Sequence, residues 1–170
     1  MQNTKKSAEL ISPNKGNALS VIGDSYRIVM GGDATNNDYA VIDMLVPPGG
    51  GPGPHAHKNI HETFYVIEGE IELTTEDGVL VATQGSFVSI PKGGIIHGFK
   101  NKSNNIAHLW CMVVPAGLDK FFEEIGEPST FGIFTPPPPM DEAAAKKLKA
   151  IAEKYGQEVY PPDYLEKKNK

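Results

Sequence analysis

The sequence predicts an all-β sandwich or barrel that carries short helices only near its C-terminal end. Three observations lead there. About eight short runs rich in Val, Ile, Phe and Tyr recur between residues 18 and 115, separated by Gly, Pro, Asn and Asp, with no helical period among them. Asp77-Gly78 between two such runs is a strong hairpin signal. Helical spacing of apolar residues begins only after residue 116.

In order along the chain, strands are predicted over 25–30, 39–46, 63–68, 70–75, 79–82, 87–90, 97–101 and 106–114. Turn signals fall at Gly31-Gly32, Asn36-Asn37-Asp38, Glu76-Asp77-Gly78 and 101–105. A short helix over 117–126 places Phe121, Phe122 and Ile125 on one side. Residues 136–139 are all proline, an extended spacer with no backbone donors. Asp141 then offers an N-cap, and Leu148, Ile151, Ala152 and Tyr155 share a face before Gly156 closes the helix. The apolar stripe of that helix is expected against the barrel or a partner subunit. The whole of 1–170 is expected to be one domain, with a barrel core over 18–115 and a helical extension over 116–160.

The chain has 170 residues, is 39% hydrophobic and 22% charged, and carries a formal net charge of -5. That describes an ordinary globular protein with enough length for a sizeable core. No stretch reaches the apolar length of a membrane span, and residues 1–16 hold no apolar leader segment, so a cytoplasmic location without membrane contact is expected. Cys111 is the sole cysteine, which excludes an internal disulfide. There is no basic face with interleaved aromatics, which speaks against nucleic acid; the Lys167, Lys168 and Lys170 cluster reads as a frayed, solvated tail. Arg27 is the only arginine, so a site gripping an acidic substrate by bidentate guanidinium contacts cannot be built. A neutral or aromatic small molecule is the expected ligand.

The chemistry concentrates in His55-Ala56-His57, behind the glycine run of 49–53, with Glu62 five residues on and His97 forty beyond His57. On an extended strand, side chains two apart point to one face, so His55 and His57 converge. Imidazoles with a carboxylate suit iron, manganese, nickel, cobalt, copper or zinc. By the same parity, Glu62, Phe64 and Val66 share a face, as do His97 and Phe99. His61 has the opposite parity to Glu62 and reads as a bystander, His108 as a packed or rim residue, and Cys111 as a small buried hydrophobe.

These residues resemble the two motifs of the cupin superfamily. The first, G-x5-H-x-H-x(3,4)-E-x6-G, is met by Gly49, His55, His57, Glu62 and Gly69. The second, G-x5-P-x-G-x2-H-x3-N, is met by Gly85, Pro91, Gly93, His97 and Asn101, with one extra residue between Gly93 and His97 that a bulge at Gly93-Gly94 is expected to absorb. The resemblance spans about 38–115 and implies the double-stranded β-helix, or jelly-roll barrel. It implies one divalent metal held by His55, His57, His97 and Glu62, and a cavity lined by Met44, Val46, Phe64, Val66 and Phe99. The run of 55–70 and the C-terminal arrangement look like the single-domain quercetin-dioxygenase-like cupins. That likeness implies a metal-dependent dioxygenase using O2 on a flavonol-like or enol/catechol-like aromatic, with Glu62 as the base and carbon monoxide released from a flavonol. It also implies a homodimer. The alternatives are a non-catalytic cupin that binds a metal or a small ligand, and a non-oxidative lyase or isomerase; sugar-phosphate isomerisation is disfavoured by the single arginine.

Overall fold

Two antiparallel sheets face one another in a computed structural model that describes residues 7–169. The elements in chain order are β1 (Asn17–Val21), β2 (Asp24–Met30), α1 (Gly32–Thr35), β3 (Ala40–Val46), β4 (His55–His57), β5 (His61–Glu68), β6 (Glu70–Thr75), β7 (Gly78–Thr83), β8 (Phe87–Ile90), β9 (His97–Lys100) and β10 (Ala107–Val114). They continue with α2 (Leu118–Ile125), β11 (Glu127–Pro128), α3 (Glu142–Lys154), β12 (Gln157–Val159) and α4 (Tyr164–Lys168). One sheet runs β11-β1-β2-β3-β10-β5-β8 and the other β12-β4-β9-β6-β7. This is the all-β jelly roll.

Strand parity sets the core. Along β5, Glu62, Phe64 and Val66 are buried while Tyr65 is exposed; along β10, Ala107, Leu109, Cys111 and Val113 are buried while Trp110 and Met112 stand outside. Inward residues of both sheets, from Leu19 and Ile42 to Leu73 and Phe99, form one apolar cluster. The hairpin expected at Asp77-Gly78 joins β6 to β7, with Thr75 opposite Gly78.

The C-terminal part differs from the sequence reading in one respect and extends it in others. Residues 164–168 form α4 rather than a frayed tail. Its Leu165 packs with Ala56 and Ile96, and Lys167 pairs with Asp163 at 2.5 Å. Burial of that one leucine fixes a turn whose lysines remain solvated. Lys170 lies outside the described residues, as do residues 1–6 of the leader reading. Strands β1, β4, β11 and β12 were not among the predicted runs; each is five residues or shorter, and β12 forms by pairing with β4 at Gln157↔His57. Asp141 caps α3 by accepting from the Ala144 amide at 2.8 Å. Helix α3 packs on α2, whose Leu118 and Phe121 are buried against the barrel.

Candidate metal centre

The site is assembled where the two sheets meet. Strands β4 and β9 are neighbours in the shorter sheet, with His55 directly opposite His97, while β5 carries Glu62 from the other sheet. One ligand atom from each of His55, His57, Glu62 and His97 lies within 4.8 Å of the others. His57, Glu62 and His97 are at most 3% exposed and His55 9%.

Local backbone geometry delivers these side chains. The glycine run is stitched to the end of β9 by Gly49 N–H donating to the Asn101 carbonyl and Asn101 N–H donating to Gly50, at 2.7 and 3.0 Å. Gly51, at φ +112°, passes so close to β9 that a Cβ would meet the Phe99 carbonyl at 2.4 Å, so only glycine fits. The extra residue before His97 is taken up by Gly93 and Gly94, both at positive φ, whose amides donate to the Lys58 and His57 carbonyls. His97 is thereby returned inward and is fully buried.

The tautomers follow from the partners. A carbonyl only accepts, so His55 Nδ1–H donates to Gly53 and His97 Nδ1–H to Ile95, both at 2.8 Å. Each Nε2 is left for the centre. His97 Nε2 and His57 Nε2 lie 3.1 and 3.3 Å from Glu62 Oε2. Imidazole lone pairs facing a carboxylate at that range need positive charge between them, supplied by a second ring proton or by a metal ion. Burial, then the neighbouring His97 and His57, pushes the His55 imidazole down to about 3, so that ring stays neutral at ordinary pH. Both ring nitrogens of His57 are buried without a hydrogen-bond partner among the described residues. Buried imidazole nitrogens and a carboxylate oxygen converging on one point, with His57 unpartnered, fit a divalent cation.

Burial raises the proton affinity of Glu62, but the close approach of the His57 and His97 imidazoles outweighs that and holds the carboxyl well below the usual range. Its other oxygen, Oε1, accepts from Cys111 Sγ at 3.6 Å. Burial and the Glu62 charge push the Cys111 thiol well up, so it stays protonated and orients the carboxylate. The sequence reading had Cys111 only as a small hydrophobe. Its pairing opposite Phe64, close to Glu62 across β10 and β5, is what register adds.

A cavity of about 520 Å³ opens from the centre. His55, Glu62, Met44, Phe64 and Phe99 line it, with Phe64 and Phe99 in edge contact at 5.3 Å. Val46 and Val66, expected on the same wall, share the inward face but sit within the core at 0% exposure and do not reach the cavity. Parity gives the face of a strand and not the depth along it. The opposite wall was not anticipated: Leu118, Phe121, Phe122 and Ile125 of α2, with Leu148 of α3, close it. The pair Asp24 and Tyr26, which adds polar groups to the lining, was not anticipated either.

The remaining candidates lie elsewhere. His61 Nε2 meets Ser89 Oγ at 2.7 Å on the outer face. His108 Nε2 is 2.6 Å from Asp43 Oδ1, and Arg27 is 2.6 Å from Asp43 Oδ2, so the sole arginine is spent on the exterior of the sheet. No helix among the described residues is long and apolar enough to cross a membrane.

Residues 42–114 match the family model described as the cupin domain. Quercetin 2,3-dioxygenase of Bacillus subtilis (strain 168) is 25% identical over 125 residues, which cover 74% of this chain and 36% of that protein. The chain thus spans about a third of the relative's length. Among solved structures, a predicted oxalate decarboxylase from Thermotoga maritima superposes with a TM-score of 0.58 at 16% identity, over 63% of this chain and 99% of that one. KdgF from Halomonas sp. gives 0.58 at 17%, over 67% and 99%. At these identities the structures establish the fold alone.

Proposed function

We propose that this chain, a cupin of the quercetin-dioxygenase-like kind, is a metal-dependent dioxygenase cleaving a flavonol-like or enol/catechol-like aromatic. The observation that carries the reading is a buried three-imidazole, one-carboxylate cluster beside a largely apolar cavity with no arginine in its wall. His55, His57 and His97 with Glu62 would hold one iron, manganese, nickel, cobalt, copper or zinc ion. Bound there, the metal supplies Lewis-acid stabilisation of negative charge and open coordination positions.

The chain's own residues do the rest. Glu62, ionised, accepts the proton of the substrate hydroxyl. Cys111 donates to Oε1 and keeps the other oxygen turned to the imidazoles. Met44, Phe64 and Phe99 hold the ring from the barrel side, while Phe121, Phe122 and Leu148 cover it and exclude water. Val46 and Val66 back this wall from the core. A second copy of the chain is proposed as partner, through the outer row of Phe87, Tyr65 and Trp110, which are adjacent in register and exposed.

One observation favours a rival. The low proton affinity of Glu62 makes it a weak base and suits a non-catalytic cupin that holds the same ion and an apolar ligand. Oxygen-electrode measurements on protein loaded in turn with iron, manganese, nickel, cobalt and copper, with flavonols and catechols, separate the two. Oxygen uptake with substrate loss supports the dioxygenase. Binding with no uptake under any metal refutes it in favour of the binding protein, and turnover without oxygen refutes it in favour of a lyase or isomerase.

A further inference from the structure

Two of the three imidazoles reach the centre with their rear nitrogen already engaged. His55 Nδ1–H and His97 Nδ1–H each donate to the carbonyl two residues back, on Gly53 and Ile95, which selects the tautomer that presents Nε2 to an ion. His57 has no such support. Its Nε2 stands 3.3 Å from Glu62 Oε2, and its Nδ1 is buried without a hydrogen-bond partner among the described residues. Nothing from the backbone decides which nitrogen of that ring carries the proton.

The neighbouring strand holds a matching group. β12 pairs with β4 at Gln157↔His57, and residues directly opposite on antiparallel strands share a face, with Cβ atoms about 4.5–5.5 Å apart. Gln157 is 5% exposed, and its Nε2 is likewise buried without a partner among the described residues. Glu158, opposite Ala56, is exposed and takes the Tyr160 hydroxyl, so Gln157 is the one polar side chain that β12 turns inward. On the other flank of His57 the chain turns at Gly93-Gly94, which carries no side chain and whose amides are used on the Lys58 and His57 carbonyls. An unmet buried polar group is costly, and two of them on facing residues point to each other. A carboxamide suits such a ring because one end donates and the other accepts, and a half-turn of its terminal torsion exchanges them. With Nε2 towards the ring it serves a bare Nδ1; with Oε1 there it serves Nδ1–H, the tautomer that frees His57 Nε2 for an ion.

We infer that Gln157 is a positioning residue of the metal centre: its carboxamide oxygen accepts from His57 Nδ1–H when Nε2 binds the ion, and so gives His57 the support that carbonyls give His55 and His97. The inference rests on the four-ligand reading of the centre. Gln157 lies outside residues 42–114, so a strand beyond the cupin span takes part in holding the ion.

The test uses the full chain loaded with cobalt(II), whose unpaired electrons shift the ring N–H protons of coordinated imidazoles far downfield in proton NMR spectra. In water, one exchangeable resonance is expected from each of His55, His57 and His97. Gln157→Met, which keeps the length and loses the acceptor, should lose one of these to solvent exchange and weaken cobalt(II) binding about 10–100-fold in competition with a chelator. Persistence of the other two shows that the variant is folded, and Gln157→Leu stands in should it not be. Gln157→Glu, which keeps an acceptor, should retain all the resonances and bind cobalt(II) at least as tightly as wild type. Full resonances with unchanged affinity in the methionine and leucine variants, equal losses in the glutamate variant, or failure of the wild-type chain to take up cobalt(II) overturns the inference. If the variants behave as expected but no metal supports oxygen uptake, Gln157 keeps its role and the dioxygenase reading falls.

Discussion

Asp24→Asn should raise the stability of the protein at pH 8 and leave it nearly unchanged at pH 4. Burial pushes the Asp24 carboxyl from 3.8 up to about 7, against the smaller opposing effects of the Tyr26 hydroxyl and the Gly51 backbone. A carboxyl whose folded value is raised contributes fully below pH 3.8, and that contribution is lost as pH climbs through about 7. Roughly 1.36 kcal/mol attaches to each pKa unit, so ionised Asp24 disfavours the fold by about 4 kcal/mol above neutrality. Asparagine has the same shape, still accepts from Tyr26, and cannot ionise. The gain should therefore grow by about 1.4 kcal/mol per pH unit between pH 4 and 7 and then level off. For a chain of this length each kcal/mol is worth about 2–4 °C in Tm. Urea unfolding of metal-free wild type and variant at half-unit pH steps measures it. A stability difference that does not change between pH 4 and 8 would refute the buried, half-protonated carboxyl.

His57→Ala should lose bound metal by more than a hundredfold in affinity, since even residues behind the ligands typically cost about 10–100-fold; elemental analysis after dialysis against a chelator decides, and stoichiometric retention would sink the four-ligand centre. Glu62→Gln should lower oxygen consumption with a flavonol by on the order of a hundredfold or more, measured together with metal content on the same sample so that loss of the ion is not read as loss of the base. His55 is held down at about 3 against an ordinary 6.5, so stability should fall as pH drops below 6.5, and the His55→Phe variant should lose part of that slope in acid unfolding curves. Trp110→Lys should shift the proposed dimer to monomer in sedimentation velocity, because Trp110 and its cross-strand neighbour Tyr65 are exposed on the outer face of the sheet; an unchanged sedimentation coefficient removes this sheet face as the contact.

Much of the barrel is legible in the chain because its strands alternate. In β10 every second residue from Ala107 to Val113 is apolar and buried, in β5 buried Glu62, Phe64 and Val66 alternate with more exposed neighbours, and Asp77-Gly78 marks its hairpin unaided. The His55–His57–Glu62–His97 set is legible for the same reason, since period two puts each side chain on its inward face. What escapes is anything fixed by pairing partners distant in sequence. Strand β12 is three residues long and exists because β4 offers an edge to it. Cys111 reads as a hydrophobe until register sets it beside Glu62. Val46 and Val66 have the right parity and the wrong depth, a coordinate that one-dimensional alternation does not contain. Asp24 looks like a turn residue next to Gly23, and only the closing of β2 against the glycine run makes it a buried acid.

The division between the legible and the illegible follows the division of labour in the site. Groups that hold an ion must converge within a few ångströms, and a strand pair achieves this with short, regular spacings; hence the metal centre is written in two brief motifs of 49–69 and 85–101. Groups that shape the cavity need only close a surface, and any apolar element of suitable length serves. Here α2 and α3 supply that wall, carrying Phe121, Phe122, Ile125 and Leu148, and α2 is itself tied down by buried Asp119, whose two oxygens accept from the Gly32 and Gly117 amides. These helices lie beyond the span that matches the cupin family, so the walls of the cavity lie partly outside the region that identifies the fold. On the proposed reading, ion chemistry and ligand choice are therefore separable: changes in α2 reshape the cavity wall without touching any of the four candidate ligands.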